Sequence, residues 1–86
     1  MANQPNQKLK LLCLCRILWE RTDEEHPITV PQLIGELDLR GIRAERKSVY
    51  DDLEALRLFG LDVQSRKGRS PGWFVGRREF ELPELK

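Results

Sequence analysis

A mainly helical α+β fold, three helices followed by a C-terminal β-hairpin, is what this chain predicts, and three observations predict it. Apolar residues recur at helical spacing through three successive segments between residues 7 and 59. After Gly60 the period shortens to two, with Leu61, Val63 and Ser65 alternating with Asp62, Gln64 and Arg66. The tract RKGRSPG (66–72) then supplies turn residues before an aromatic return run. The chain has 86 residues, 40% of them hydrophobic, which suits one core and leaves no room for a second. We place the domain at 1–78. The charged, Pro-interrupted stretch 79–86 reads as a linker.

A polar leader, Met1 to Asn6, precedes the first helix, QKLKLLCLCRILWER (7–21). Stepping about 100° per residue from Leu11, a single face takes Leu11, Leu14, Cys15, Leu18 and Trp19, with Leu12 at its margin. Ile17 and Cys13 fall outside that stripe, so the apolar surface is wider than one contact needs. Such a helix is central to the fold or turns its spare face to a second chain. The acidic TDEEHP run ends it. PITV (27–30) reads as a short extended segment with Thr29 as an N-cap. In PQLIGELDLRG (31–41), Pro31 sits in the first turn, where its missing N–H costs little. Leu33, Ile34 and Leu37 face inward there, and Gly41 stops the helix.

Only Gly41 to Ala44 separate this helix from the third, about 44–59. Val49, Leu53 and Leu56 fall at its core spacing, with Phe59 near the edge. Lys47, Asp51, Glu54 and Leu58 lie opposite, Arg46 and Tyr50 on one flank, and Gly60 closes the helix. Two helices joined by so short a Gly-containing turn match a helix-turn-helix. WFVG (73–76) returns as the second strand, so the basic tract becomes a hairpin tip. Helix, helix-turn-helix and hairpin in this order make a winged helix-turn-helix.

The net charge is only +1, so overall basicity says nothing about nucleic acid. Its distribution says more. Residues 40–47 hold Arg40, Arg43, Arg46 and Lys47 against Glu45, and residues 66–69 hold Arg66, Lys67 and Arg69 with no acid. Acid gathers at Asp23, Glu24 and Glu25, at Asp51, Asp52 and Glu54, and at Glu79, Glu81 and Glu84. This describes either a local electropositive face or an ordinary solvated surface. Cys13 and Cys15, two apart on a helix, point to different faces, so we read them as buried thiols and not as a metal or disulfide pair. His26 has no companion ligand and stands in a loop before Pro27. The chain carries no signal peptide, transmembrane run or lipidation motif, and a reduced cytoplasmic location is the expectation.

Enzyme chemistry is not expected. The chain has no Ser/His/Asp set and no Cys/His pair, and KGRSPG lacks the Gly-Lys-Ser/Thr ending of a phosphate loop. Asp51 and Asp52, adjacent on a helix, point about 100° apart and read as surface charge. No cofactor or metal is expected. Double-stranded DNA is the expected partner. A helix-turn-helix sets its second helix in the major groove, and the start of that helix reaches base edges. Here the start carries Arg46, Lys47, Ser48 and Tyr50, with Arg43 in the basic block just before it. Arg46 can pair bidentately with guanine, and Lys47 can reach guanine or phosphate. Ser48 and Tyr50 can bond phosphate or bases. Arg66, Lys67 and Arg69 on the wing suit phosphates or the adjacent minor groove. Asp51 is the awkward residue, close enough to the groove to lower nonspecific affinity. The competing reading is a winged helix for protein–protein interaction, prompted by the near-neutral charge, the wide apolar first helix and Leu58.

ERKSVYDDLEALRLFGLDV (45–63) followed by RKGRSPGWFV (66–75) resembles the N-terminal winged helix-turn-helix of WYL-domain transcriptional regulators, which is similar to the DeoR-like domain. The likeness covers residues 8–78, and FELPELK (80–86) resembles the linker into the remainder of such proteins. It implies sequence-specific, usually dimeric DNA binding, and a chain that is the DNA-binding part of a longer regulator. It also implies that Arg46, Lys47, Ser48 and Tyr50 belong to a recognition helix, and Lys67 and Arg69 to a wing. A homodimer would form through the first helix or through the absent C-terminal region. Many members have Arg where this chain has Asp51, and the WYL domain is absent.

Overall fold

Three helices in succession, then one hairpin, make up the computed structural model, which describes residues 6–79. The helices are α1 (Asn6–Arg21), α2 (Val30–Leu39) and α3 (Arg46–Phe59), and the strands are β1 (Val63–Arg66) and β2 (Gly72–Val75). This is the winged-helix layout. The polar leader, apart from Asn6, and the linker, apart from Glu79, lie outside the described residues.

Local chemistry explains where each element begins and stops. Thr29 caps α2 through a capping box: its hydroxyl accepts from the Gln32 N–H, and the Gln32 side chain accepts from the Thr29 N–H. Pro31 occupies the first turn, as expected. Past the helix, Gly41 takes φ 76°, a left-handed conformation that glycine adopts without steric cost. The start of α3 lies later than the sequence suggests, at Arg46 with Glu45 as a cap residue that makes no side-chain bond. β1 and β2 pair antiparallel, with Val63 opposite Val75 and Arg66 opposite Gly72. β2 is set one residue earlier than WFVG. The PITV segment then finds its partner: Ile28 and Trp73 exchange two backbone hydrogen bonds, 2.9 and 2.7 Å long, on the free edge of β2. The start of α2 is thereby tied to the wing.

The core joins Leu14, Ile17 and Leu18 of α1, Leu33 and Leu37 of α2, Val49, Leu53 and Leu56 of α3, and Val63 and Val75 of the hairpin. Ile34 is half-buried against it. Here α1 departs from the sequence reading. Its buried stripe is Lys10, Leu14, Ile17 and Leu18, so Ile17 is core, 2% exposed, and Leu12 and Trp19 are outside at 66% and 37%. The reason is Lys10, a charged residue that belongs to the inner face because it is paired there. Treating it as surface rotates the stripe. No helix among the described residues is long and apolar enough to cross a membrane.

Candidate nucleic-acid interface

Four faces of α3 do four different things. Val49, Leu53 and Leu56 bury themselves in the core. On the flank toward α1, Ser48 and Asp52 both accept hydrogen bonds from the Lys10 ammonium. The Lys10 side chain is 1% exposed and that of Asp52 19%, so this is an ion pair withdrawn from water. Such a pair is strongly destabilising to break on one side only, which makes it a staple for the angle of α3. On the flank toward the hairpin, the Tyr50 ring meets Trp73 edge to face, with centroids 6.0 Å apart. The fourth face carries Lys47, Asp51, Glu54 and Leu58, all exposed.

Two concavities border this outer face. The one on the wing side, about 320 Å³, is lined by Arg46, Tyr50, Arg66, Lys67 and Trp73, together with Thr29 and Pro31 at the start of α2. Ser65 adds a third hydroxyl to those of Thr29 and Tyr50, and no carboxylate lines it. The other, about 390 Å³, lies between α1 and the turn before α3 and is lined by Gln7, Lys10, Arg43, Ala44, Glu45 and Ser48. Lys10 occupies one lone pair of the Ser48 hydroxyl and leaves its O–H free to donate.

The residues singled out by sequence therefore divide by place. Arg46, Tyr50, Arg66 and Lys67 come together on the wing side, Arg43 and Ser48 on the α1 side, and Lys47 stands between on the outer face. Arg69, exposed at the hairpin tip, lines neither concavity. Arg66 is half-buried because its guanidinium lies over the Phe74 ring, 5.1 Å from the centroid. Lys10, Thr29 and Trp73 were missed as parts of the site. The signal for Lys10 was present: position 10 shares a helical face with Leu14 and Ile17, so a cation there needs a buried carboxylate. Trp73 and Thr29 gave no signal, since their meeting depends on the Ile28–Trp73 pairing across the fold.

The acid cluster resolves in the same way. Asp52 is turned inward to Lys10, and Glu54 pairs with Arg57 at 3.6 Å. Among the described residues no cation pairs with Asp51, which is exposed. The cysteines, Cys13 and Cys15, are free and half-buried, and burial pushes the Cys15 thiol above its ordinary pKa. Comparison of the chain with protein-family models, with curated proteins and with solved structures gives no match.

Proposed function

We propose that this chain is a sequence-specific double-stranded DNA-binding domain, with the first turns of α3 in the major groove and the 66–72 turn on the adjacent backbone or minor groove. One observation carries the reading. A chain of net charge +1 gathers Arg46, Arg66 and Lys67, with three hydroxyls and no carboxylate, around one concavity beside the outer face of its third helix. The winged-helix layout supports it, since such a helix is held to the body by one face and leaves another for a groove. In this reading Lys47 addresses base edges, Arg46, Arg66 and Lys67 address the strand along the wing, and Arg43 and Ser48 the strand on the α1 side. The resemblance to WYL-type regulators adds a transcriptional role in the cytoplasm and no catalysis. The exposed apolar residues Leu9, Leu12 and Trp19 of α1 are where the reading seats a second copy.

Titration against a mixed duplex pool at several salt concentrations tests it. Binding should weaken linearly on a log–log salt plot, and Lys67→Ala should reduce the slope by about one across all sequences. Failure to bind any duplex at low salt would overturn the reading. It would favour the protein-interaction alternative, for which Leu58, 74% exposed on the outer face of α3, is the one specific observation.

A further inference from the structure

We propose that Asp51 is a base-reading residue: its carboxylate accepts a hydrogen bond from the N4 amino group of a cytosine in the major groove and fixes the preferred base pair at one position. The inference rests on the DNA-binding reading above and deepens it. Two turns of helix span about 11 Å, and a helix with its side chains nearly fills a major groove about 12 Å wide. Base edges are therefore met by the outermost face of the first two turns. Taking Val49, fully buried, as the inward direction, Lys47 stands at roughly 160° and Asp51 at roughly 200° around the helix. The other polar side chains of those turns are drawn aside. Arg46 and Tyr50 lean toward the wing and Trp73, while Ser48 and Asp52 are held toward α1 by Lys10. Lys47 and Asp51 are left pointing straight out.

The chemistry of a carboxylate selects the base. An ionised carboxylate only accepts hydrogen bonds. Guanine presents two acceptors, N7 and O6, and thymine presents O4, so both repel it. Adenine sets the N7 acceptor beside its N6 donor. Cytosine offers the N4 donor with no acceptor next to it on that edge, and is the base that Asp51 matches. Lys47, one turn earlier, complements the guanine edge. The two residues are about 6 Å apart along the helix axis, less than two steps of about 3.4 Å, so they read positions no more than two apart. Asp51 is then not a flaw in a phosphate-binding surface. Phosphates are met on the two flanks, and the carboxylate sits over the groove floor.

Selection of bound sequences from a random duplex library, using the wild-type chain, Asp51→Asn and Asp51→Ala, tests this. The wild type should show a cytosine at one position. Asp51→Asn should move that position to adenine, because an amide matches N6 and N7 together. Asp51→Ala should lose discrimination there by roughly tenfold or more, with the other positions unchanged. An Asp51→Asn consensus identical to wild type, with affinity raised equally on every duplex, would show charge repulsion alone and overturn the proposal. So would a cytosine preference that survives in Asp51→Ala. If the wild type binds no duplex, the DNA-binding reading fails and the role of Asp51 with it. If it binds without a cytosine-sensitive position, only the role of Asp51 fails.

Discussion

Lys10 holds a buried charge in a small domain, and its energetics are asymmetric. With Asp52 and Ser48 in place, its ammonium has hydrogen-bonding partners at a position almost wholly withdrawn from solvent. Asp52→Leu leaves that charge unpaired and should destabilise the fold by about 3–5 kcal/mol. Adding Lys10→Met to Asp52→Leu should recover most of the loss, because an apolar pair of similar volume replaces a buried ion pair at little cost. Urea unfolding of the two variants measures both, and equal stabilities would show that Lys10 tolerates the loss of its carboxylate partner. Asp62 works differently. Its carboxylate accepts from the Arg77 N–H at 2.7 Å and from the Gln64 side chain at 2.9 Å, tying the chain after β2 to the chain before β1. The Arg77 N–H bond, helped by Gln64 and the Arg77 charge, holds the Asp62 pKa below its ordinary value. A depressed folded pKa means stability that is complete above the ordinary carboxylate pKa and is lost as pH falls through the lower, folded value. Asp62→Asn should therefore flatten the stability curve below about pH 4 and leave its shape above pH 5 unchanged, as read by unfolding midpoints across that range.

At the level of elements, the wing is attached to the body through backbone. Ile28 pairs with Trp73, and the Val75 N–H donates to the Thr22 hydroxyl at 3.0 Å, which itself donates to the Leu18 carbonyl. Gly72 makes the first of these contacts feasible. Its φ is 148°, and a Cβ there would stand 2.8 Å from the Ile28 carbonyl oxygen. Gly72→Ala should cost about 1–3 kcal/mol through strain and the displaced segment. Hydrogen exchange at the Ile28 and Trp73 amides should speed up before that of the helices. DNA affinity should fall with it, since Lys67 and Arg66 would lose their fixed position beside Arg46. Gly35 in α2 is the contrast: a Cβ there meets nothing within 4 Å. Gly35→Ala should add about 0.5–1 kcal/mol by restricting the unfolded chain. A loss of stability at Gly35→Ala would mean that this glycine serves something other than helix geometry.

Across the whole molecule, charge is sorted by position while its sum stays near zero. Basic side chains surround the start of α3 on two sides, with Glu45 beside Arg43 on the α1 side, while Asp52 is turned inward, Glu54 is paired and Asp51 lies on the outer face. On the proposed DNA-binding reading, such sorting gives specific binding with a modest nonspecific background, because few phosphates are attracted at a distance. The reading also predicts assembly. Ile17 is packed in the core and has no part in it, which leaves Leu9, Leu12 and Trp19 as the apolar surface of α1. Sedimentation at high micromolar concentration should show a dimer, and Leu12→Lys should return it to a monomer with the selected half-site unchanged. A wild-type monomer under those conditions would place the dimer contacts outside α1.

Element order, most of the α3 faces and the basic turn were readable from the chain, because each depends on neighbours within a few residues. Val49, Leu53 and Leu56 fall at one helical face whatever they pack against, and Gly41 and RKGRSPG break the chain for local reasons. The stripe of α1 was misjudged for the opposite cause. Position 10 shares a helical face with Leu14 and Ile17, but the partner that lets a cation stay inside, Asp52, lies forty-two positions away. The same holds for the site. That Arg46 and Lys67 share a concavity follows from the Ile28–Trp73 pairing, and that Asp51 is the one of these three acids without a cation partner among the described residues follows from Lys10 and Arg57 engaging the other two. Periodicity names the residues on each face of a helix, but which face is met by core, by partner or by groove is settled where distant segments touch.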